Sequence, residues 1–547
     1  MGVPQLFGWL FRKYKHIIST KENVDILYFD FNGLIYHCYA DLMKDKYDIL
    51  KNATLRRKQE VLIEDILKYA KYIISNIVKP KDAYMCIDGV VPMAKMHQQR
   101  LRRYKSPYLK EWDNDIKKKY GIYKEELLDT NQITPGTQFM RLLNESLQNA
   151  IDTKYFGEVN MFLSDSEKFG EGEHKIIADI RNKEYENKNI CIYGLDADLI
   201  ILSLTISNNN IYLLRENVHI DKKYLNEFLY VSIPILSDLI NKEMLRELTE
   251  KTNININTID KTRLIKDYVF LSFLLGNDFL HCLPSLSIVN NGIDFVINLY
   301  AICYGKCKNY LLSSLNGNIR INNGFLRSIF EYLTKSEDSN LKFLAQKKRI
   351  PTPPNFDDSY SEDKWKWDRI PYNSKFEKCF SVIDYKNNNW KKQYYSIFFD
   401  FDYSNTNDKV CIESICKNYF DGILFTAKYY FDGEINWYWY NPYSVSPFAS
   451  DLFEYLNKME VKDINNIQLP NGLPFSSIEQ LMMVLPKCSS ELLPKKLADE
   501  MKGRLCLYYP DEFEWVAEEK MMLYSIEPKL PLLDIDIIRG VIREVIE

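Results

Sequence analysis

Long apolar runs, paired cysteine motifs and a strong net charge are all missing from this 547-residue chain, whose formal net charge is −4. No apolar run approaches the ~18 residues that a membrane-spanning helix needs, and no secretory signal pattern stands at the start. None of the eleven cysteines lies in a CxxC pair, which excludes the common zinc-binding patterns and predicts reduced thiols in an intracellular protein. Any affinity for a polyanion must come from a local patch.

Composition along the chain predicts three regions. An α/β pattern with a helical extension covers residues 1–349, and a polar, proline-containing linker or surface excursion covers residues 350–389. Residues 390–547 form a second region in which aromatic residues are frequent, and we expect most of these to be buried. The aromatic residues near and within it are Trp365, Trp367, Trp390, Tyr394, Tyr395, Tyr429, Tyr430, Trp437, Tyr438, Trp439 and Tyr440.

Several short, continuously apolar runs lead to an aspartate, which is the pattern of buried strands in a parallel sheet. The runs are residues 26–29, 83–87, 161–163, 190–193 and a fifth at 268–275, and the acids are Asp30, Asp88, Asp165, Asp196, Asp198 and Asp278. Helical patterns at 61–77, 136–150 and 173–180 supply the crossovers. Ligands bind at the carboxyl ends of such strands. The sequence therefore predicts an α/β fold with acids gathered along one edge of a mostly parallel sheet flanked by helices.

Two more carboxylates, Glu171 and Glu173, lie in the segment 170–175. On a helix, Glu173 shares a face with Ile177 and Ile180, so a carboxylate stands at the end of an apolar face, where it needs a cationic partner. A solvated glutamate beside flexible glycines is the alternative. Clustered carboxylates repel one another, and oxygen-ligated Mg²⁺ or Mn²⁺, with two ions bound, resolves that repulsion. Such two-metal sites are typical of phosphodiester cleavage.

A basic segment follows the Asp88 strand. On a helix, Lys95, Gln99 and Arg102 or Arg103 fall on one face, which suits a terminal phosphate. A solvated charge run is the alternative, but the segment contains no acid for i, i+4 pairing. Arg100 lies off this face, and we interpret it as a surface charge.

In its motifs the chain resembles the XRN-type 5′→3′ exoribonucleases nearly from end to end. The matching segments are residues 1–4, 30–33, 88–96, 133–137, 170–175, 194–200, 273–280, 390–395, 437–440, 447–451 and 479–486. The resemblance implies a fold like that of PIN-domain and flap nucleases, with the aromatic-rich region packed around the active site. It identifies the chain as a short form that covers the catalytic core.

The resemblance also implies roles for individual residues. The metal ligands, which are the catalytic residues, would be Asp30, Asp88, Glu171, Glu173, Asp196, Asp198 and Asp278. Lys95, Gln99, Arg102 and Arg103 would bind a 5′-monophosphate. Tyr36, beside His37, stands where the family has a stacking histidine, and either Trp437 or Trp439 would stack a base from the other side. Met93 and His97 replace the family's Arg and Asn, which predicts weaker electrostatics in the phosphate pocket.

These features predict a metal-dependent enzyme that degrades single-stranded 5′-monophosphorylated RNA to nucleoside 5′-monophosphates, with two Mg²⁺ ions that Mn²⁺ can replace. Two alternatives remain: a flap-type, structure-specific DNA nuclease and an inactive RNA-binding scaffold. No membrane association is expected. The sequence does not identify protein partners, for which decapping and RNA-processing factors are candidates, and we expect a cytoplasmic rather than a nuclear location.

Overall fold

The computed structural model describes residues 6–20, 22–183, 185, 187–206, 210–217, 227–403, 409–458, 463–470 and 472–546. Within these ranges, no helix has both the length and the apolar character needed to cross a bilayer.

In the part of the chain that the structure describes, eleven strands form three sheets. The strands are β1 (Ile18–Ser19), β2 (Ile26–Asp30), β3 (Asp82–Cys86), β4 (Asn160–Ser164), β5 (Asn189–Tyr193), β6 (Asn210–Glu216), β7 (Phe228–Ser232), β8 (Leu312–Leu315), β9 (Asn318–Ile321), β10 (Glu514–Val516) and β11 (Glu527–Lys529). The first seven form one sheet in the order β1-β7-β6-β5-β2-β3-β4, and the other four form two small hairpin sheets. The seven-stranded sheet is therefore the main sheet of the fold.

Strands β2 to β6 are parallel, while β7 and β1 are antiparallel additions at one edge. In the centre, Phe29 pairs with Met85 on one side and with Tyr193 on the other. The chain leaves β2 toward β3 and later returns to its other side as β5, so β2 lies where the strand order reverses. A crevice opens at the carboxyl ends of such strands. The expected α/β fold with a mostly parallel sheet is confirmed.

Alternate residues of the central strands enter two separate cores, as the pleat of a strand requires. Ile26 and Tyr28 of β2 belong to one core, which continues into the helices of the second half of the chain. Leu27 and Phe29 belong to the other, which lies under the first helices. Both faces of β2 are thus covered, which explains its continuously apolar sequence.

Nineteen α-helices are assigned in the described ranges. They are α1 (Leu6–Lys13), α2 (Phe31–Asp45), α3 (Tyr47–Leu50), α4 (Leu55–Tyr72), α5 (Met93–Lys119), α6 (Gln138–Asp152), α7 (Gly172–Lys183), α8 (Asp198–Leu204), α9 (Ile233–Lys251), α10 (Lys261–Ser272), α11 (Gly292–Cys307), α12 (Asn323–Lys347), α13 (Ser359–Trp367), α14 (Trp390–Phe399), α15 (Lys409–Ala427), α16 (Ala449–Lys458), α17 (Ser477–Val484), α18 (Lys495–Lys502) and α19 (Ile535–Ile546). The predicted crossover helices are confirmed as α4, α6 and α7. Thr54 and Thr137 cap the first two of these through backbone N–H groups.

One prediction about strands is wrong, and another holds only in part. The fifth apolar run is not a strand, because residues 268–275 complete α10 and a short 3₁₀ turn. Periodicity cannot separate a fully buried helix from a buried strand, and residues 268–271 are all buried. The run at 161–163 does form β4, a parallel strand, but β4 lies at the edge of the sheet and its residues are exposed or partly exposed instead of buried.

The aromatic-rich region packs against the first half of the chain instead of standing apart from it. Helices α17 to α19 share an apolar core with the start of α5. The predicted linker contains α13, which also lies on α5, with Lys364 Nζ 2.9 Å from Asp113 Oδ1. The boundaries at 349 and 389 stay predictions.

Candidate active site

The carboxyl ends of β2, β3 and β5 open into a cavity of about 400 Å³. Five of the seven predicted acids line it, namely Asp30, Asp88, Glu171, Glu173 and Asp196. Lys95, Gln99, Arg102, Arg103 and Tyr36 line the same cavity. The acidic and basic sets predicted from separate motifs therefore meet in one place.

The start of α7 brings the glutamates to the strand ends. The backbone N–H of Gly172 donates to Asp88 Oδ1 at 2.7 Å, and Asn32 Nδ2 donates to Asp88 Oδ2 at 2.8 Å. Only glycine permits this approach, because a Cβ atom at position 172 would lie 2.7 Å from the Cys86 carbonyl oxygen and 2.9 Å from Asp30 Oδ1. Asp88 is held in place by these donors and stays within the cavity.

The acids lie in an environment that disfavours their ionised form. Burial, then the nearby Asp88, Asp196 and Glu171, raises the pKa of Asp30 well above its usual value. Burial, then Asp198 and Glu171, does the same to the pKa of Glu173. Two carboxylate oxygens, Glu173 Oε2 and Asp198 Oδ1, are buried without a hydrogen-bond partner in the described part of the chain. Such oxygens need a cation.

The donor set fits a divalent cation. Ligand atoms of Glu171, Glu173 and His174 all lie within 4.8 Å of one another, and carboxylate oxygens are the ligands that Mg²⁺ and Mn²⁺ prefer. Asp198 lies at the start of α8, fully buried behind the cavity. Asp278 reaches the cluster through Lys95 Nζ, 2.6 Å from Asp278 Oδ2.

Lys95 lies at the cavity, where it pairs with the acids. Its ammonium group forms ion pairs with both Glu171 and Asp278, so it partly neutralises these acids, and its binding of a phosphate stays a prediction. Burial opposes the charge on Asp278, but Lys95 outweighs it and holds the pKa of that carboxyl well below its usual range.

The other residues of the basic face lie at the same cavity, and their binding of a phosphate stays a prediction. Gln99 and Arg103 are buried, and Arg102 is exposed at the cavity wall. Arg103 Nη1 donates to the Asn131 side-chain oxygen at 3.1 Å, and burial lowers the pKa of the guanidinium to about 10. Gln99 Oε1 and Arg103 Nε have no hydrogen-bond partner among the described residues.

The interpretation of Arg100 as a surface charge is wrong. Arg100 is 1% exposed, and its guanidinium donates to the backbone oxygens of Pro531 at 2.8 Å and Tyr508 at 2.6 Å. Residues more than 400 positions away accept these bonds, so no local pattern could have revealed them.

The expected weakening of the phosphate pocket by Met93 and His97 has no structural basis. Met93 lies in the core shared by α5 and α17, and His97 faces a second cavity on the other side of α5. Neither side chain lines the cavity that holds Arg102 and Arg103.

The aromatic candidates differ in their access. Tyr36 is 40% exposed at the cavity, whereas His37 stacks on Tyr69 at 4.6 Å. Trp439 is 3% exposed and packs on Phe425 with ring centroids 4.7 Å apart, which leaves it no free face for a base. Trp437 is half-buried, with its ring against Phe169 at 5.4 Å.

Sequence reasoning missed several residues of the site. Tyr429 Oη donates to Glu171 Oε1 at 2.9 Å, and its ring stacks on His174 at 3.8 Å. Asn32 and Gln480 also line the cavity. Asn32 stood beside Asp30 in a matching motif, but Tyr429 was visible only as one of many aromatic residues.

A parallel α/β sheet with clustered acids and a basic wall at the switch of its strand order defines a nuclease-type site. The family model for the XRN 5′-3′ exonuclease N-terminus matches residues 1–217, and the model for the Xrn1 helical domain matches residues 258–363 and 371–545. The chain therefore belongs to the XRN 5′-3′ exonuclease family. The matching segment at residues 1–4 lies outside the described residues.

Curated relatives agree with this assignment. The chain is 28% identical to the human protein named 5′-3′ exoribonuclease 1, over 98% of this chain and 33% of the relative. It is 26% identical to 5′-3′ exoribonuclease 2 of Candida albicans, over 98% of this chain and 71% of the relative. The chain thus spans about a third of the human relative. A solved structure of T5 D15 protein co-crystallized with metal ions covers 58% of this chain and 88% of its own, with a TM-score of 0.24 and 11% identity, too low for any inference.

Proposed function

We propose that the chain is a 5′→3′ exoribonuclease that degrades single-stranded RNA with a 5′-monophosphate and releases nucleoside 5′-monophosphates. The observation that carries the proposal is the shared cavity, in which five acids lie beside Gln99, Arg102 and Arg103. An end phosphate held by that basic wall places the first phosphodiester bond next to the acids. A cavity of about 400 Å³ suits one terminal nucleotide and excludes a cap or a duplex end.

The cofactor we propose is Mg²⁺, as two ions, with Mn²⁺ as a substitute. Asp30, Asp88, Glu171, Glu173 and Asp196 would hold the ions at the cavity, and Asp198 and Asp278 would support them from behind. When bound, these ions supply Lewis-acid stabilisation of the charge that develops on the scissile phosphate and its leaving oxygen.

The side chains of the cavity have separate roles in this scheme. Arg102 and Arg103 bind the terminal phosphate, with Asn131 fixing the orientation of Arg103. Lys95 limits repulsion among the acids and orients Glu171. Tyr36 offers an exposed ring for the leading base, and Trp437 is the better-placed of the two tryptophans to stack from the other side.

The first test compares the decay of 5′-monophosphate, 5′-triphosphate and 5′-hydroxyl RNAs in Mg²⁺. We expect the monophosphate RNA to decay fastest with release of mononucleotides. Equal decay of all three would contradict end recognition. Faster cutting of a flap DNA than of RNA would favour a structure-specific DNA nuclease, and RNA binding without any cleavage would favour a scaffold.

The second test addresses the chemistry. The variant Asp196→Asn should abolish turnover and leave RNA binding in place, because it removes a carboxylate from the cavity edge without changing its size. Turnover at the wild-type rate would overturn the assignment of the acids.

A further inference from the structure

Helix α17 reaches the basic end of the active-site cavity from the C-terminal half of the chain. Its residue Gln480 is 1% exposed and lines the same cavity as Gln99, Arg102 and Arg103. The helix is anchored at its start by a capping box between Ser476 and Glu479. A polar side chain is therefore held at the cavity by a rigid, well-capped element.

The amide of Gln480 has a defined orientation. Its Oε1 accepts the backbone N–H of Val91 at 2.9 Å, and only the oxygen of an amide can accept that bond. The amide nitrogen must then point the other way. Gln480 Nε2 is buried and has no hydrogen-bond partner in the described part of the chain. A buried N–H donor without an acceptor destabilises a protein, so this one is expected to meet an acceptor from outside.

The ligand class follows from the neighbours of the amide. Gln99, Arg102 and Arg103 share the cavity wall with Gln480, and two of these three carry a positive charge. An acceptor-only, negatively charged group satisfies both the guanidinium groups and a neutral N–H donor. A terminal phosphate is such a group.

The same part of the chain also contacts the residue that supports Arg103. Ser489 Oγ accepts from Asn131 Nδ2 at 3.0 Å, and Asn131 in turn accepts from Arg103. Gly136, at φ +90°, comes so close to Ser477 that a Cβ atom would lie 2.9 Å from the serine Cβ. Residues 477–489 thus contact the loop that carries Asn131 and fix the orientation of Arg103.

We propose that Gln480 is a specificity-determining residue that donates its free amide N–H group to the 5′-phosphate of the RNA. The phosphate site is then completed by the C-terminal half of the chain and not by α5 alone. This inference rests on the proposed 5′-monophosphate-dependent function. It assigns Gln480 to binding and leaves the chemical step to the acids.

The test uses the full chain with the variants Gln480→Met and Gln480→Glu. The first removes the amide at similar volume, and the second keeps an oxygen for the Val91 N–H but places a carboxylate where the donor was. The measured quantity is the ratio of kcat/KM for 5′-monophosphate RNA to that for 5′-hydroxyl RNA of the same sequence. A hydrogen bond to a charged group corresponds to roughly 10-fold or more in affinity.

We expect Gln480→Met to lower this ratio about 10-fold and Gln480→Glu to lower it further, mainly through KM, with kcat/KM for the 5′-hydroxyl RNA unchanged. The matched control is Gln468→Met, since Gln468 is exposed and does not line the cavity; it should keep the wild-type ratio. Binding of both RNAs in EDTA should show the same preference and the same losses. Thermal melting identifies any variant that fails to fold, and Gln480→Glu then decides.

A wild-type ratio in both Gln480 variants would overturn the inference. Failure of the proposed function looks different, because the wild-type protein itself would then show no preference for the 5′-phosphate. A preference that is present in the wild type and lost in both variants supports both conclusions.

Discussion

At the scale of single residues, the hydroxyl group of Tyr429 connects the aromatic-rich region to the acids. It donates to Glu171 Oε1, while Lys95 pairs with the same carboxylate. Partners of this kind orient a metal ligand, and removing one typically lowers metal affinity about 10- to 100-fold. We therefore expect Tyr429→Phe to raise the Mg²⁺ concentration needed for half-maximal activity by about that factor, measured by Mg²⁺ titration of RNA decay.

The control for Tyr429→Phe is Tyr419→Phe. Tyr419 is also buried, but its hydroxyl has no hydrogen-bond partner among the described residues, so its removal should leave the Mg²⁺ titration unchanged. An unshifted titration in Tyr429→Phe would show that Glu171 is positioned without it.

Burial of His97 makes the free energy of unfolding depend on pH. Burial, then Arg100 and His281, lowers the pKa of His97 to about 3, from 6.5 in an unfolded chain. Between these values the unfolded chain binds the extra proton, so stability falls as the pH drops from 6.5 toward 3. We expect His97→Asn to reduce that loss by about 2–3 kcal/mol at pH 4.5, measured by urea unfolding at pH 7.5 and 4.5 in EDTA.

The exposed His16 provides the comparison for His97. The variant His16→Asn should lose as much stability on acidification as the wild type. If His97→Asn and His16→Asn behaved alike, the burial of the His97 ring would not contribute to the acid sensitivity.

At the scale of elements, α5 has two functions on two faces. One face presents Gln99 and Arg102 to the cavity, and the other sends Arg100 to the carbonyls of Tyr508 and Pro531. Loss of Arg100 removes the charged donor from the Tyr508 and Pro531 carbonyl oxygens, and a hydrogen bond to a charged group contributes ~1.5–3 kcal/mol. We expect Arg100→Met to reduce the free energy of unfolding by about 2–4 kcal/mol, measured by urea denaturation.

The control for Arg100→Met is Lys118→Ala, an exposed position on the same helix, which should change the free energy of unfolding by less than ~0.5 kcal/mol. A similarly small change for Arg100→Met would contradict the structural role.

Local patterns predicted the elements that depend on local periodicity. The face of α5, the start of α7 and the strands β2, β3 and β5 follow from spacings of two, three or four residues, and these elements bring five acids to one cavity. Local spacing does not predict contacts between residues that are distant in the sequence. Arg100, Tyr429 and Gln480 each bond to a residue more than 250 positions away. The choice between Trp437 and Trp439 likewise depends on which ring the rest of the fold covers.

Across the whole molecule, the two halves of the chain meet at the site. One apolar core contains Ile26 of β2 together with Tyr429 and Trp439, and another joins α5 to α17, α18 and α19. Glu171, Glu173 and Asp198 are buried at this site, and burial raises the pKa of Glu173. The repulsion among them therefore acts on the stability of the entire fold, and a metal that relieves it should stabilise both halves together.

The variant Glu173→Gln separates these two effects. Burial and the neighbouring acids raise the pKa of Glu173, so replacing it with a neutral amide removes repulsion, and we expect it to stabilise the metal-free protein by about 1–2 kcal/mol. The same change removes a metal ligand.

Mg²⁺ at 100 times its dissociation constant would stabilise the wild type by about 2.7 kcal/mol, and we expect Mg²⁺ to stabilise the variant by much less. Thermal melting in EDTA and in Mg²⁺ measures both, with Glu167→Gln, an exposed acid, expected to match the wild type. A metal bound by these acids requires that the Glu173 carboxylate destabilises the protein without the ion and coordinates the ion when it is present. The assignment of a metal to the acids would therefore be contradicted if Glu173→Gln melted at a lower temperature than the wild type in EDTA, or if Mg²⁺ raised its melting temperature as much as that of the wild type.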